Sequence, residues 1–108
     1  MRIILLTALV QLGLVTAYAA TAQPFEDAEA LAREKGCFEC HAIGRTEVGP
    51  SFSAIARRYR YDLSARERLP TVIRTGSIGH WGERFAMWPQ RQVDAAEARM
   101  LVDWILSQ

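Results

Sequence analysis

Cys37-Phe38-Glu39-Cys40-His41 is the stretch around which the rest of the chain is organised. Two cysteines separated by two residues and followed at once by histidine form the pattern of a c-type haem attachment site. Each part has a chemical reason. The two thiols add to the two vinyl groups of haem and hold it covalently, and the adjacent histidine offers an imidazole nitrogen to the iron, as proximal histidines do. Three other readings compete. A redox-active dithiol belongs with a strand-helix-strand pattern that this chain lacks. Zinc needs two more ligands, and only His41 and His80 remain, the first awkwardly next to a ligand already used. A disulfide across so short a gap closes a small loop and stabilises little. Haem is the favoured reading, with the dithiol, zinc and disulfide as the alternatives.

Upstream, Met1-Arg2 is followed by an apolar run from Ile3 to Val15, then by Ala17-Tyr18-Ala19 and Ala20-Thr21-Ala22, two small-x-small sites. This is the layout of a secretory signal, and the run is shorter than the ~20 residues of a membrane span. The expectation is a signal over residues 1–22, cleaved after Ala22 or Ala19, with an uncleaved anchor as the alternative. The remaining domain, residues 23–108, has no stable membrane span.

The chain has 13 basic and 12 acidic side chains. Arg2 is the one charge in the signal, so its removal leaves the two signs equal. A neutral chain argues against nucleic acid as a partner. The charges are nevertheless segregated: Glu26, Asp27, Glu29, Glu34 and Glu39 lie early, whereas Arg57, Arg58, Arg60, Arg66, Arg68 and Arg74 crowd the middle. These groups read as solvated helix faces or, more sharply, as a dipole presented to a charged redox partner.

In order, Asp27 to Lys35 is made of good helix formers with Ala28, Leu31 and Ala32 on one face, and Gly36 is a natural stop. A loop runs to Val48-Gly49-Pro50. Phe52, Ile55, Ala56 and Tyr59 recur at helical spacing, which predicts a helix from about Phe52 to Tyr61. Ser64 and Glu67 match a capping box, so a third helix starts near Ala65, with a kink or restart at Pro70, a buried stripe of Leu69, Val72 and Ile73, and an end at Gly76. Thr75 to Gln92 reads as a long irregular loop, and such loops are usually functional. Asp94, with Glu97, caps a last helix whose apolar stripe is Ala98, Leu101, Trp104 and Ile105. No convincing strand is present.

The second face of the iron decides the function. A methionine there raises the potential and suits electron transfer, whereas an open position suits binding of small molecules. Met87, in the glycine-containing loop beside Trp88-Pro89, is the favoured candidate; His80 and an open site are the alternatives. Met100, inside the last helix, reads as a packing residue.

From about Glu26 onward the chain resembles the short bacterial class I cytochromes c, monohaem carriers of the periplasm. The resemblance is carried by Lys35-Gly36-Cys37 through His41-Ala42-Ile43, Val48-Gly49-Pro50, Gly76-Ser77, Trp81-Gly82, Met87 with Pro89, and the closing helix with Trp104-Ile105-Leu106-Ser107-Gln108. It implies an all-α fold of about four helices around one haem c, attached through Cys37 and Cys40 and ligated by His41 and Met87. It further implies that the Pro50 carbonyl accepts from the His41 ring, that the Trp81 indole reaches a haem propionate, and that the first and last helices cross with Leu31 and Ala32 near Leu101 and Trp104. Haem attachment outside the cytoplasmic membrane fits the signal. Two departures stand out. The Trp81 to Met87 stretch, with Glu83-Arg84-Phe85-Ala86, carries an extra residue and lacks the usual prolines. Where a basic residue in the third helix often meets a propionate, this chain has Val72, with Arg74 the nearest substitute.

The expected function is a soluble, periplasmic, monomeric single-electron carrier, not an enzyme, with transient redox donor and acceptor proteins. Its rivals are a haem subunit of a larger dehydrogenase or oxidase complex, and a gas-binding or catalytic haem protein should Met87 be an unstable ligand. A domain this small has a marginal apolar core and commonly needs a staple, here the covalent haem. Haem-free protein is therefore expected to show no cooperative, native-like thermal transition by circular dichroism; finding one would refute this.

Overall fold

The structure, a computed structural model, describes residues 24–108. The apolar run and both small-x-small sites lie outside the described residues. Four α-helices make up the domain: α1 (Pro24–Glu34), α2 (Phe52–Arg58), α3 (Ala65–Thr75) and α4 (Ala95–Leu106). A single 3₁₀ turn, Cys37–Glu39, follows α1, and two two-residue strands, β1 (Ser77–Ile78) and β2 (Ala86–Met87), lie between α3 and α4. Helix α4 packs against each of the other three helices. Among the described residues, no helix is long and apolar enough to cross a membrane.

The core follows from the apolar faces. Ala28 and Ala32 of α1, Phe52 of α2, Val93, and Ala98, Leu101, Trp104 and Ile105 of α4 form one buried cluster, with Leu31, Ile55 and Ile73 packed against it. The small side chains Ala28, Ala32 and Ala98 are essentially without exposure, which lets α1 and α4 approach closely. The crossing is also tied at its end. Lys35 Nζ donates to the Gln92 carbonyl at 3.0 Å while Gln92 Nε2 donates to the Lys35 carbonyl at 2.9 Å. The Lys35 ammonium also lies 3.1 Å from Glu97 Oε1.

Glu97 has a second task. Its Oε2 accepts from the Asp94 N–H at 2.9 Å, while Asp94 Oδ1 accepts from the Glu97 N–H at 2.8 Å, a complete capping box at the start of α4. A cap not foreseen from sequence starts α2: buried Ser51 accepts from the Ala54 N–H at 3.0 Å through its Oγ.

Four expectations are corrected. Ser64 does not cap α3, because its backbone is already helical at φ −84° and ψ −9°. Its N–H and hydroxyl are instead both bound by Asp62 Oδ1, at 3.0 and 2.8 Å. The Ser64 hydroxyl, then its N–H and Arg68, hold the Asp62 carboxyl below its ordinary range. Second, α3 runs without a break through Pro70, whose ring is buried. Third, the stripe Leu69, Val72 and Ile73 is only half-buried; Ala65 and Pro70 are the buried positions of α3. Fourth, Thr75 to Gln92 is not wholly irregular: β1 and β2 pair antiparallel, Ser77 with Met87 and Ile78 with Ala86. Helix α1 is already present at Pro24, the first described residue and ahead of Asp27, and α2 ends at Arg58, short of Tyr61.

Replacing Asp94 with Ala removes one half of the capping box. The expected loss is about 1 kcal/mol, which in a domain of this size lowers the melting temperature by roughly 4–8 °C. Thermal denaturation of the holoprotein checks this; an unchanged midpoint would contradict it.

Candidate haem site

The pentad is built by a turn that only glycine enters easily. Gly36 follows α1 at φ +81° and ψ 15°, a left-handed conformation, and redirects the chain into the Cys37–Glu39 turn. The His41 and Cys40 N–H groups both donate to the Cys37 carbonyl, at 3.0 and 3.3 Å. This curls the two cysteines and the histidine into one tight turn. Neither cysteine is joined in a disulfide; Cys37 is half-buried and Cys40 exposed. Burial pushes the Cys37 thiol above its ordinary pKa, favouring the neutral thiol over the thiolate.

The variable positions of the pentad are not spacers. Phe38 packs edge-on to Phe52 at 5.5 Å between ring centroids and lies 6.1 Å from Trp104. The Arg33 guanidinium covers the same ring at 4.3 Å. Phe52 meets Trp104 in turn at 5.0 Å. The site therefore sits directly on the α1–α2–α4 core.

His41 is held on three sides. Its Nδ1 lies 2.6 Å from the Pro50 carbonyl oxygen. A carbonyl only accepts, so Nδ1 carries the hydrogen and the neutral ring has its lone pair on Nε2. Burial lowers the His41 pKa, partly opposed by the Pro50 bond, so the ring favours the neutral form that can bind a metal. The ring stacks on Phe52 at 5.2 Å and 23°. Gly49 closes the third side: a Cβ there would stand 2.7 Å from His41 Cε1 and 3.1 Å from Nδ1. The Gly49 N–H donates to the Cys40 carbonyl at 2.7 Å and fixes this approach.

This donor set fits a covalently tethered haem. Two unpaired thiols and an imidazole with Nε2 available lie in one turn. Cys37 and Cys40 would hold the group and His41 would give the iron one axial nitrogen.

The other expected residues lie across the chain, in the hairpin. Met87 is half-buried on β2. Its carbonyl approaches Gly76 so closely that a Cβ there would lie 2.7 Å from it, and 3.1 Å from Pro89. Gly76 has φ +88°, so both space and conformation call for glycine. Trp81, also half-buried, lies between the strands. His80 is exposed and its Nδ1 is 2.9 Å from the Ser77 hydroxyl. Met100 is 45% exposed, a surface position. Arg74, the expected substitute for a basic residue at position 72, lies with Arg91 around a shallow pocket bounded by Thr71, Thr75 and Val93.

Sequence reasoning missed Arg58, whose guanidinium lies 4.4 Å over the Trp81 ring and donates to the His80 carbonyl at 2.5 Å. It also missed that Gly49 has no space for a side chain. A glycine immediately before Pro50 was the available signal for the second; nothing local marked Arg58 among six middle arginines.

Comparison with known proteins gives a consistent picture. The family model described as cytochrome c matches residues 25–108. Cytochrome c-551 of Allochromatium vinosum is 40% identical over 76 residues, 70% of this chain and 80% of that protein. Cytochrome c-551 of Azotobacter vinelandii is 37% identical over 76% of this chain and 98% of its own length. The crystal structure of wild-type Nitrosomonas europaea cytochrome c552 superimposes with a TM-score of 0.70 at 37% identity, covering 73% of this chain and 96% of that one.

Replacing Gly49 with Ala should force the His41 ring from its place and weaken the Pro50 bond. Such overpacking costs about 1–3 kcal/mol. The expected result is a lower melting temperature of the holoprotein together with a shifted His41 ring resonance; an unmoved resonance would count against the clamp.

Proposed function

The chain belongs to the cytochrome c family and is an electron-carrier protein with one covalently attached haem c; from that premise we propose a soluble periplasmic single-electron shuttle with His41 and Met87 as axial ligands. Haem supplies a one-electron couple between ferrous and ferric iron, and a methionine on its second face suits electron transfer rather than binding of a substrate. The chain's own residues supply the rest. Cys37 and Cys40 tether the group, so it cannot exchange. His41 keeps a proton on Nδ1 toward Pro50 and would offer Nε2 to the metal; such an outer partner orients the ring and raises its basicity. Met87 would give a soft thioether donor from the hairpin, and the Trp81 indole would offer its hydrogen to a propionate. No residue in this scheme acts as a general acid, base or nucleophile.

The observation that carries the reading is the 2.6 Å contact of His41 Nδ1 with the Pro50 carbonyl, made in the same turn as two unpaired cysteines. Residues 1–22 act as the export signal and residues 23–108 as the carrier domain. Donor and acceptor are transient protein partners, since redox encounters use small, short-lived interfaces. With charges balanced after export, nucleic acid is not among them. Cytochromes c-551 and c-552 dominate the relatives, which favours the free carrier over a subunit of a larger enzyme.

Met87→Ala tests the ligand assignment. The far-red sulfur-to-ferric-iron absorption band should vanish. The potential should fall by a sizeable part of the roughly 0.8 V over which axial ligands set haem potentials. A band that persists in the variant would sink the assignment.

A further inference from the structure

The hairpin that carries Met87 is a slight structure. Each strand has two residues, and an isolated two-stranded hairpin is marginal in water. Beyond the short ladder, its internal bonds are Gly79 N–H to the Phe85 carbonyl at 3.2 Å, Gly82 N–H to Gly79 at 3.2 Å, Phe85 N–H to Gly82 at 3.1 Å and the Ser77 hydroxyl with His80 Nδ1 at 2.9 Å. Gly79 and Gly82, both at positive φ, add backbone freedom at the tip. Something outside the hairpin must hold it in place.

The foot is fastened by close packing of Gly76 on Met87 and Pro89, and by the Gln90 N–H donating to the Ile73 carbonyl at 3.0 Å. The tip depends on α2. Among the described residues, one hydrogen bond links residues 79–85 to the body of the domain: Arg58 Nη1 to the His80 carbonyl, at 2.5 Å. The same guanidinium lies 4.4 Å over Trp81, and Tyr59 meets that ring edge-on at 6.4 Å. Arg58 takes no part in the ion pairs formed among the described residues; besides Trp81 its guanidinium faces only the Tyr59 ring, at 5.7 Å. Arginine suits this task because one flat cation stacks on an aromatic face and donates from its edge at once.

We propose that Arg58 is a positioning residue: it latches the tip of the Met87 hairpin to α2 and so sets how rarely the Met87 sulfur leaves the iron. The proposal rests on Met87 as an axial ligand. With the latch intact the site stays closed to small molecules and the protein works as a carrier. With it released the hairpin opens about its foot and the sixth position admits an external ligand.

The test uses holoprotein. Carbon monoxide binding to the reduced protein reads release of Met87, and loss of the far-red ferric band on heating reads the same event without added ligand. Far-ultraviolet circular dichroism follows the helices separately. Arg58→Ala should speed carbon monoxide binding at least about fivefold, consistent with loss of a cation–π contact and a charged hydrogen bond. The band should disappear well below the temperature at which the helices melt. Arg58→Lys, which keeps the charge but lacks the flat fork, should fall between parent and Arg58→Ala. A carbon monoxide rate in Arg58→Ala within twofold of the parent, with band loss coincident with helix melting, would overturn the latch. Met87→Ala separates the two ideas. If it opens the iron and Arg58→Ala does not, only the latch fails; if it does not open the iron, the Met87 reading itself fails.

Discussion

The hydrogen bond from His41 to the Pro50 carbonyl is the contact through which the two halves of the site wall are joined. It spans 2.6 Å between a turn fixed by Gly36 and a segment fixed by Gly49 and Ser51. Because Pro50 can only accept, one bond sets the neutral ring's tautomer and its orientation together, while burial favours the neutral form. Gly49 makes that bond possible by leaving no side chain between its backbone and the ring. The next residues then start α2: the Phe52 N–H donates to the Ala42 carbonyl at 2.9 Å, and Phe52 stacks on the imidazole it helped to place. A ligand and a helix start are thus specified by one run of four residues.

Packing carries this order into the rest of the domain. Phe38, inside the pentad, meets Phe52, and Phe52 meets Trp104 of α4. Aromatic pairs of this edge-on kind contribute about 0.5–1.5 kcal/mol beyond their buried area. The chain brings α1 and α4 together with alanines rather than large residues, and locks the crossing with Lys35, Gln92 and Glu97. Most other ion pairs, such as Arg66 with Asp103 and Arg33 with Glu29, are solvent-exposed and contribute little. Leu69, Val72 and Ile73 of α3 are half-buried, Ile73 against the core.

Where local reading failed, a neighbour had taken over the task assigned to a residue. Ser64 matched a capping box in spacing, but Asp62, two residues earlier, binds both its N–H and its hydroxyl and leaves it helical. Pro70 lies far enough into α3 to suggest a break, yet its buried ring is accommodated without one. The Thr75 to Gln92 stretch reads as irregular because two-residue strands are too short to show an alternating pattern. The capping box of Asp94 and Glu97 was legible because both partners lie within one turn and nothing nearby competes for them.

The sequence by itself determined the cofactor, the thiols that would tether it, one candidate ligand in His41, and an architecture of about four helices. Those depend on short-range chemistry: thiols and imidazole at fixed spacing, and apolar residues at helical period. Tertiary structure alone decided what surrounds them. That Gly49 must lack a side chain, that Phe38 reaches Trp104, and that Arg58 lies on Trp81 are contacts between residues eight to sixty-six positions apart. Nothing in the local pattern encodes such pairs, because they form only once the loops, the hairpin and the helices have come together. The pentad names the group to be held, and the packed chain determines how it is held.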